Sequence, residues 1–147
     1  MFSNFNISAS AMTAQRMRMD VISSNIANSE STRAELVDGE WVPYRRKSVV
    51  MRPKEGTFKS YLHKAAGKNP PASGVKITEI VEDQSPFKLV YQPEHPDANE
   101  DGYVQMPNVD PLREMVDLIS ATRSYEANAT VLNASKSMLL KALEIGK

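Results

Sequence analysis

The chain has 147 residues, and its 18 lysines and arginines balance its 18 aspartates and glutamates. This balance gives no electrostatic reason to expect a nucleic acid or an anionic membrane as a partner. The chain has no cysteine, which excludes disulfides, zinc–thiolate sites and thiol catalysis. Because no apolar run approaches the roughly 20 residues that span a bilayer, and no charged and apolar leader is visible, we expect neither membrane insertion nor a cleaved signal.

A first helix is predicted within residues 1–28, after a short irregular start. From Ser8 or Ser10, either of which can cap it, to Asn28 there is no proline or glycine. Its apolar face is rich in methionine and small residues, which suit adaptable contacts. The pattern leaves two interpretations open: packing on another helix of the same chain, or packing on other copies or other proteins. The predicted assembly contacts of this helix are Met12, Met19, Val21, Ile22 and Ile26.

The middle of the chain changes from a helical to a strand-like pattern. Residues 28–38 form a connector rich in capping and turn residues. Residues 39–56 predict one or two short strands, which Pro43 and Pro53 confine to edges or ends.

The second half of this middle region predicts further strands and a loop. Residues 57–63 predict a strand or a turn, and residues 64–74 predict an exposed, protease-sensitive loop. Alternation of apolar and polar residues within 75–91 predicts a β-hairpin with its turn at residues 83–86. A last short strand is predicted at residues 103–106.

The longest predicted element is a helix from Asp110 to about Glu144. Asp110 can cap it, and Pro111 stands at the first helical position, where its missing N–H costs nothing. At 1.5 Å per residue the helix would be roughly 50 Å long. Its apolar residues recur at alternating spacings of three and four, which predicts a coiled-coil-like seam. The predicted seam contains Met115, Leu118, Tyr125, Ala129, Leu132, Leu139 and Leu143, and a second apolar face contains Leu112, Val116 and Ile119.

This order of elements predicts an α+β fold. Long N- and C-terminal α-helices would pack as a coiled-coil-like pair, with a small β-rich domain inserted between them. We expect an N-terminal helix region at 1–33, the β-rich domain at 34–106 and the C-terminal helix at 107–147. Four asparagines are either polar cross-helix contacts that set the register or solvated and capping residues: Asn25, Asn28, Asn128 and Asn133.

An acidic stretch is the best candidate for a metal site. Asp97, Asn99, Asp101 and Gly102 match the first half of a calcium-binding loop. The twelfth position of that pattern should be a glutamate, whereas this chain has Asn108, and the flanking segments are not helical. Because aspartate and asparagine before glycine are also common in turns, we expect a turn here.

No other residues suit catalysis. His63 and His95 lie in different segments and lack metal-site spacing. The basic cluster Arg45–Lys47 is typical of a solvated strand edge rather than a phosphate site. The chain has no glycine-rich phosphate loop and no nucleophile elbow. We therefore expect no catalytic residue, no cofactor, no metal, no small-molecule substrate and no enzymatic activity.

Both ends of the chain resemble one known family. Residues 11–33, AMTAQRMRMDVISSNIANSESTR, resemble the N-terminal helix of bacterial flagellar axial proteins of the rod and hook class. Residues 107–147 resemble the C-terminal helix of the same proteins, and the match extends over nearly the whole chain, including Pro43–Lys47. Distal rod and hook members usually carry a Thr-x-Gly-Tyr turn after the first helix. This chain has Ser-Thr-Arg-Ala-Glu at 31–35, which fits the proximal rod type.

The resemblance implies a structural protein of the flagellar basal body, exported by the flagellar type III apparatus. It implies self-assembly in which the terminal helices form the inner tube of the drive shaft for motility and the β domain lies outside. The implied partners are copies of the same chain, other rod proteins, and the adaptor and export-gate end of the rod. The residues alone leave two alternatives: a self-contained helical-hairpin adaptor or export chaperone, and a calcium-binding or small-molecule enzyme.

Overall fold

A computed structural model describes residues 2–54, 58–68 and 73–145. Long helices lie at the two ends of the chain and short strands lie between them in sequence, which confirms the predicted α+β class. The elements in chain order are α1 (Phe2–Ala27), β1 (Glu35–Val37), β2 (Glu40–Val42), β3 (Lys47–Pro53), α2 (Phe58–Ala65), β4 (Val75–Glu82), β5 (Lys88–Tyr91), β6 (Tyr103–Met106) and α3 (Pro111–Ile145).

Helix α1 begins earlier than predicted. It starts at Phe2, so the predicted irregular start with a cap at Ser8 or Ser10 is wrong. Ser10 lies inside the helix and donates its hydroxyl to the carbonyl oxygen of Ile7 at 2.7 Å, while Ser8 is buried. A serine hydroxyl satisfies a carbonyl of the preceding turn as readily as an N–H at a helix start, so these serines did not mark the boundary.

Helix α3 is confirmed as predicted. It runs for 35 residues without interruption. Asp110 caps it, since its Oδ1 accepts the backbone N–H of Leu112 at 3.1 Å. Pro111 occupies the first helical position, where its fixed φ is already suited to a helix.

The first two strands form a hairpin, although β1 lies within the connector predicted at residues 28–38. β1 and β2 pair antiparallel, with Val37 opposite Glu40. The two turn residues both have positive φ, 52° at Asp38 and 89° at Gly39. An Asp-Gly pair suits this mirror-image turn because its twist matches that of the strands, and this dipeptide is the signal that was missed.

The predicted hairpin within residues 75–91 is wrong. β4 pairs with β3 instead, and β5 pairs antiparallel with β6. The turn between β4 and β5 is held by Asp83, whose Oδ1 accepts the N–H of Ser85 at 2.9 Å. The N–H of Asp83 in turn donates to the carbonyl of Arg46 at 2.8 Å. These bonds tie the turn to the start of β3, so β5 does not fold back on β4.

Two further predictions concern this middle region. The strand at 103–106 is confirmed, while the strand or turn predicted at 57–63 is wrong because Phe58–Ala65 is helical. In the predicted loop at 64–74, residues 69–72 lie outside the described part of the chain, and its protease sensitivity stays a prediction.

The chain divides into two compact units, and both long helices contribute residues to each. Unit 1 contains Met1–Met17, Val50–Glu79 and Ala121–Lys147, and unit 2 contains Arg18–Val49 and Ile80–Ser120. The predicted three-part division therefore stays a prediction. Within the described residues, no helix has the length and hydrophobicity needed to cross a membrane.

The two units differ in their buried apolar side chains. In unit 2 these are Val21, Ile22, Tyr44, Val104 and Val109. In unit 1 they are two alanines, Ala14 and Ala121. Larger side chains bury more apolar area and stabilise more, so unit 2 has the stronger core among the described residues.

Candidate assembly site

A buried polar pair joins the two long helices in unit 2. Asn25 of α1 and Glu114 of α3 are both 0% exposed. Asn25 Nδ2 donates to Glu114 Oε2 at 2.9 Å and to the carbonyl of Lys47 at 2.8 Å. Its Oδ1 accepts the N–H of Lys47 at 2.9 Å and the hydroxyl of Tyr44 at 3.1 Å. An amide has two donor hydrogens and two acceptor sites, so the Asn25 side chain is fully satisfied.

Arg46 supplies the positive charge that a buried carboxylate requires. Its Nε donates to Glu114 Oε1 at 2.6 Å, and its side chain is only 20% exposed. The same guanidinium lies 3.7 Å from Asp117 and 4.0 Å from Asp83. The prediction of a solvated strand edge is therefore wrong for Arg46. Its guanidinium pairs with Glu114 instead, because burying that carboxylate without a cation and hydrogen bonds would cost several kcal/mol.

The segment before α3 is held to the same cluster. Asn108 Nδ2 donates to the carbonyls of Asp83 and Ser85 at 3.0 and 3.2 Å, and its Oδ1 accepts the N–H of Arg46 at 2.8 Å. Hydrogen bonds from Ser85 hold the pKa of Asp83 below its ordinary value, and the charge of Arg46 acts in the same direction. We call Asn25, Arg46, Asn108 and Glu114 the polar lock.

Of the four asparagines singled out in the sequence, only Asn25 makes a cross-helix hydrogen bond in the described contacts. Asn28, just after the end of α1, donates to the carbonyl of Ser24, and Asn128 donates to that of Ser124 within α3. Asn133 is exposed. A register-setting role therefore fits Asn25, and Asn28 and Asn133 follow the capping or solvated interpretation. Asn128 follows neither, since it is half-buried and bonds the preceding turn of its own helix.

The buried line of α3 is turned by about one residue from the predicted seam. Leu118, Tyr125, Leu132 and Leu139 are half-buried as part of it. The other positions of this line are Glu114, Ala121, Asn128 and Ser135, and all four are at least half-buried. Met115 and Leu143, predicted for the seam, are 50% and 70% exposed. The spacing of Leu118, Leu132 and Leu139 allows burial of the residues on either side of them along the helix. The hydrogen bond between Asn25 and Glu114 favours the side that contains Glu114, and a hydrophobic pattern does not reveal this bond.

Helix α1 shows a similar rotation. Val21 and Ile22 are buried, whereas Met12, Met19 and Ile26 are half-buried. The most buried positions are small or polar: Ser8, Ala14 and Asn25.

An apolar patch remains exposed on the first turns of α3. Its four side chains are contributed by one face of the helix, and they are exposed by 75% at Leu112, 50% at Met115, 67% at Val116 and 54% at Ile119. We call these four residues the α3 patch. Contiguous apolar surface on a protein is typical of an interaction site. The polar lock anchors Glu114, which lies between Leu112 and Met115, so it holds the patch on an ordered helix.

The acidic stretch forms a hydrogen-bonded turn, as expected. Asp97 accepts the Thr32 hydroxyl at 2.8 Å and Arg33 Nε at 2.7 Å, with a second bond from Arg33 Nη2. These bonds, led by that from Arg33, lower the pKa of Asp97. Asn99 Oδ1 accepts the N–H groups of Asp101 and Tyr103 at 3.1 and 2.8 Å. Among the described residues, no group of three or more histidines and carboxylates is placed to hold a metal.

The two histidines remain apart from each other. His95 Nδ1 accepts the N–H of Asp97 at 3.1 Å, while His63 lies in α2. Sequence reasoning did not identify Arg46, Asn108 or Glu114 as partners. The available signal was a carboxylate at position 114, one turn before Leu118 on the face of α3 that is buried in the structure.

Comparison with known proteins assigns the family. Residues 5–34 match the model described as flagella basal body rod protein, and residues 100–145 match that described as flagellar basal body rod FlgEFG protein C-terminal. Flagellar basal-body rod protein FlgC of Bacillus subtilis (strain 168) is 61% identical over 147 residues, covering 99% of this chain and 98% of the relative. The chain belongs to the FlgC family of flagellar basal-body rod proteins.

Other FlgC proteins match over a similar extent. The protein from Borreliella burgdorferi is 45% identical over 156 residues, covering 99% of this chain and 97% of its own. That from Escherichia coli O6:H1 is 46% identical over 143 residues, covering 97% and 96%. The resemblance inferred from the two ends is thus confirmed, and FlgC membership assigns the chain to the flagellar basal body. Asn25 and Glu114 each lie in one of the two segments that match the family models.

Proposed function

We propose that this chain is a structural subunit of the proximal part of the flagellar rod and polymerises through its terminal helices into the drive shaft. The α3 patch is the observation that carries this proposal. FlgC membership supports the rod role, and the patch is apolar surface that a subunit of a polymer would bury.

The polar lock determines how this surface is presented. Asn25 and Arg46 both bond Glu114, so the first turns of α3 are fixed to α1 and to the start of β3 within unit 2. A surface that is already ordered loses less conformational entropy when it binds. The partners are copies of the same chain, other rod proteins, and the adaptor and export-gate end of the rod.

The assembly contacts predicted from the sequence divide into an exposed group and a buried or half-buried group. Leu112, Met115, Val116, Ile119 and Leu143 are exposed and are available to neighbouring subunits as described. The others are buried or half-buried, and a charge at Leu118 or Leu132 would disturb folding together with assembly. An adaptor or export chaperone is the less favoured function, since the relatives are named as rod proteins and a closed hairpin leaves the α3 patch without a role.

The direct test is Val116→Glu. Val116 is 67% exposed, so the change should leave the fold intact while placing a charge in the proposed interface. Loss of a central contact costs about 2 kcal/mol or more, which weakens association about 30-fold. We expect cells to synthesise the variant, to lack complete rods in purified basal bodies, and to be non-motile.

The matched control is Ile80→Glu, which makes the same change at an exposed aliphatic residue of β4. It should leave rods and swimming intact. Normal rods and swimming with Val116→Glu would refute the proposed interface.

A further inference from the structure

A second candidate contact surface in unit 2 is concave, and it is lined by both apolar and polar side chains. It is a groove of about 450 Å³ whose lining includes Trp41, Pro43, Leu89 and Tyr103. Trp41 is 56% exposed, Leu89 64% and Tyr103 44%. Tyr103 also packs edge-on against Tyr91, with ring centroids 5.3 Å apart, so this wall is held in place. We call this surface the Trp41 groove. Tryptophan and tyrosine are the side chains most enriched at the centres of protein interfaces.

The charges of the Trp41 groove are negative. Glu40 and Asp97 line it, and no lysine or arginine is among its described lining residues. Asp97 is already bonded to Arg33, whereas Glu40 is exposed on β2. A partner surface that places a cation beside apolar side chains would match this groove.

The α3 patch has that composition. Within Pro111–Ser120, Glu114 is buried against Arg46, and Asp117 lies within 4 Å of both Arg18 and Arg46. Arg113 is the exposed charged residue of this segment, and it adjoins Leu112. The patch is therefore an exposed apolar face next to Arg113, with the capping residue Asp110 at its N-terminal end. The groove combines apolar and polar lining residues beside Glu40.

We propose that the α3 patch of one copy seats in the Trp41 groove of a second copy, with Arg113 facing Glu40. This inference rests on the proposed rod function and names the partner of the α3 patch. The two surfaces share no residue, so the contact is heterologous and can repeat from copy to copy along a helical array. A contact between two α3 patches would instead be isologous and would close as a dimer.

The absence of native cysteine makes disulfide trapping a clean test. Val116→Cys and Leu89→Cys chains are expressed together, basal bodies are purified and oxidised, and disulfide-linked dimers are measured. A disulfide requires Cβ atoms about 3.5–4.5 Å apart, so only a close contact is trapped. The matched control pairs Leu89→Cys with Val131→Cys, another exposed valine of α3 outside the patch.

We expect a dimer yield several-fold above the control, and only when both variants are present. Glu40→Arg in the Leu89→Cys chain should reduce this yield, and Arg113→Glu in the Val116→Cys chain should restore it. An equal yield from Val116→Cys alone would show an isologous contact and overturn the inference. Basal bodies that contain the chain but give no Val116–Leu89 dimers would overturn it while the proposed function stands. Basal bodies without the wild-type chain would overturn both.

Discussion

At the scale of single residues, the most informative positions are buried and polar. Asn25 and Glu114 contribute little to a hydrophobic pattern, yet both are 0% exposed and bonded to each other. A buried amide or carboxylate is tolerated only where its partners are present. The pair therefore favours one rotation of each helix about its own axis. The spacing of leucines and methionines does not distinguish that rotation from the adjacent ones.

Removing the Glu114 carboxylate should destabilise the fold strongly. Glu114→Ala leaves Arg46 and Asn25 without their shared acceptor, and breaking a buried ion pair costs about 3–5 kcal/mol. Glu114→Gln keeps the volume and one acceptor, so its cost should be smaller. The measurement is the free energy of unfolding in urea. Glu126→Ala, at an exposed site on the same helix, is the control and should change it by less than about 0.5 kcal/mol. The same small change for Glu114→Ala would contradict the importance of the polar lock.

Gly39 and Gly102 both have positive φ, but only Gly102 has other atoms close to the place where a Cβ would lie. Comparing alanine substitutions at the two positions therefore distinguishes the cost of backbone strain from the cost of steric overlap. Gly39 has φ +89° and open space where a Cβ would lie, so Gly39→Ala should cost about 1–2 kcal/mol from conformation alone. Gly102 has φ +80°, and a Cβ there would lie 2.9 Å from Tyr91 Cε2 and 3.2 Å from Pro93 Cβ. Gly102→Ala should therefore destabilise more than Gly39→Ala in urea unfolding. Equal costs would show that the Tyr91 ring moves away freely.

At the scale of elements, the helices were predictable and the strand pairing was not. An amphipathic run of 35 residues with a cap and Pro111 is a local signal. The strands in the described part of the chain are three to eight residues long and pair in twos. Such pairs are marginal in isolation, so their pairing depends on contacts distant in sequence, such as those of Asp83 and Asn108 with Arg46.

The connector after α1 is held to the β5–β6 turn by a link that depends on pH. Thr32 and Arg33 both bond Asp97, and the pKa of Asp97 is lowered from its ordinary 3.8. A lowered folded-state pKa means that the link stabilises the protein above about pH 4. This stabilisation is lost as the pH falls from there toward the lower folded-state value.

The Asp97→Asn variant should therefore show a smaller loss of stability below pH 4 than the wild type. Thermal unfolding from pH 2.5 to 6 measures this loss. Asp101→Asn, at an exposed residue of the same turn, is the matched control and should follow the wild type. If Asp97→Asn follows it as well, the link does not contribute to stability.

At the scale of the whole molecule, unit 2 leaves large apolar side chains exposed. Leu112 and Val116 of the α3 patch are exposed by 75% and 67%, and Leu89 of the Trp41 groove by 64%. Exposed apolar surface of this kind is typical of a subunit that completes its burial by assembly.

The isolated chain should accordingly be least stable in unit 1. Among the described residues, the buried apolar side chains of that unit are two alanines, whereas unit 2 also has the polar lock. We expect a monomeric or weakly associating protein whose amides exchange fast in residues 4–17 and 121–144, and slowly near Asn25, Val104 and Glu114. Hydrogen-exchange mass spectrometry measures this difference. Strong protection along both helices in a clean monomer would contradict it, and the same segments in purified rods should become protected.

The sequence by itself determined the two long helices, the α+β class, the family and the structural nature of the protein. Capping, helix periodicity and the absence of cysteine are properties of neighbouring residues or of composition, and the family motifs are continuous stretches. Only the tertiary structure decided which strands pair, which face of each helix is buried and which apolar residues stay exposed. These outcomes depend on bonds between residues about 60 to 90 positions apart, such as Arg46 and Asn25 with Glu114. Hydrophobic spacing does not record such bonds, because the residues that form them are polar.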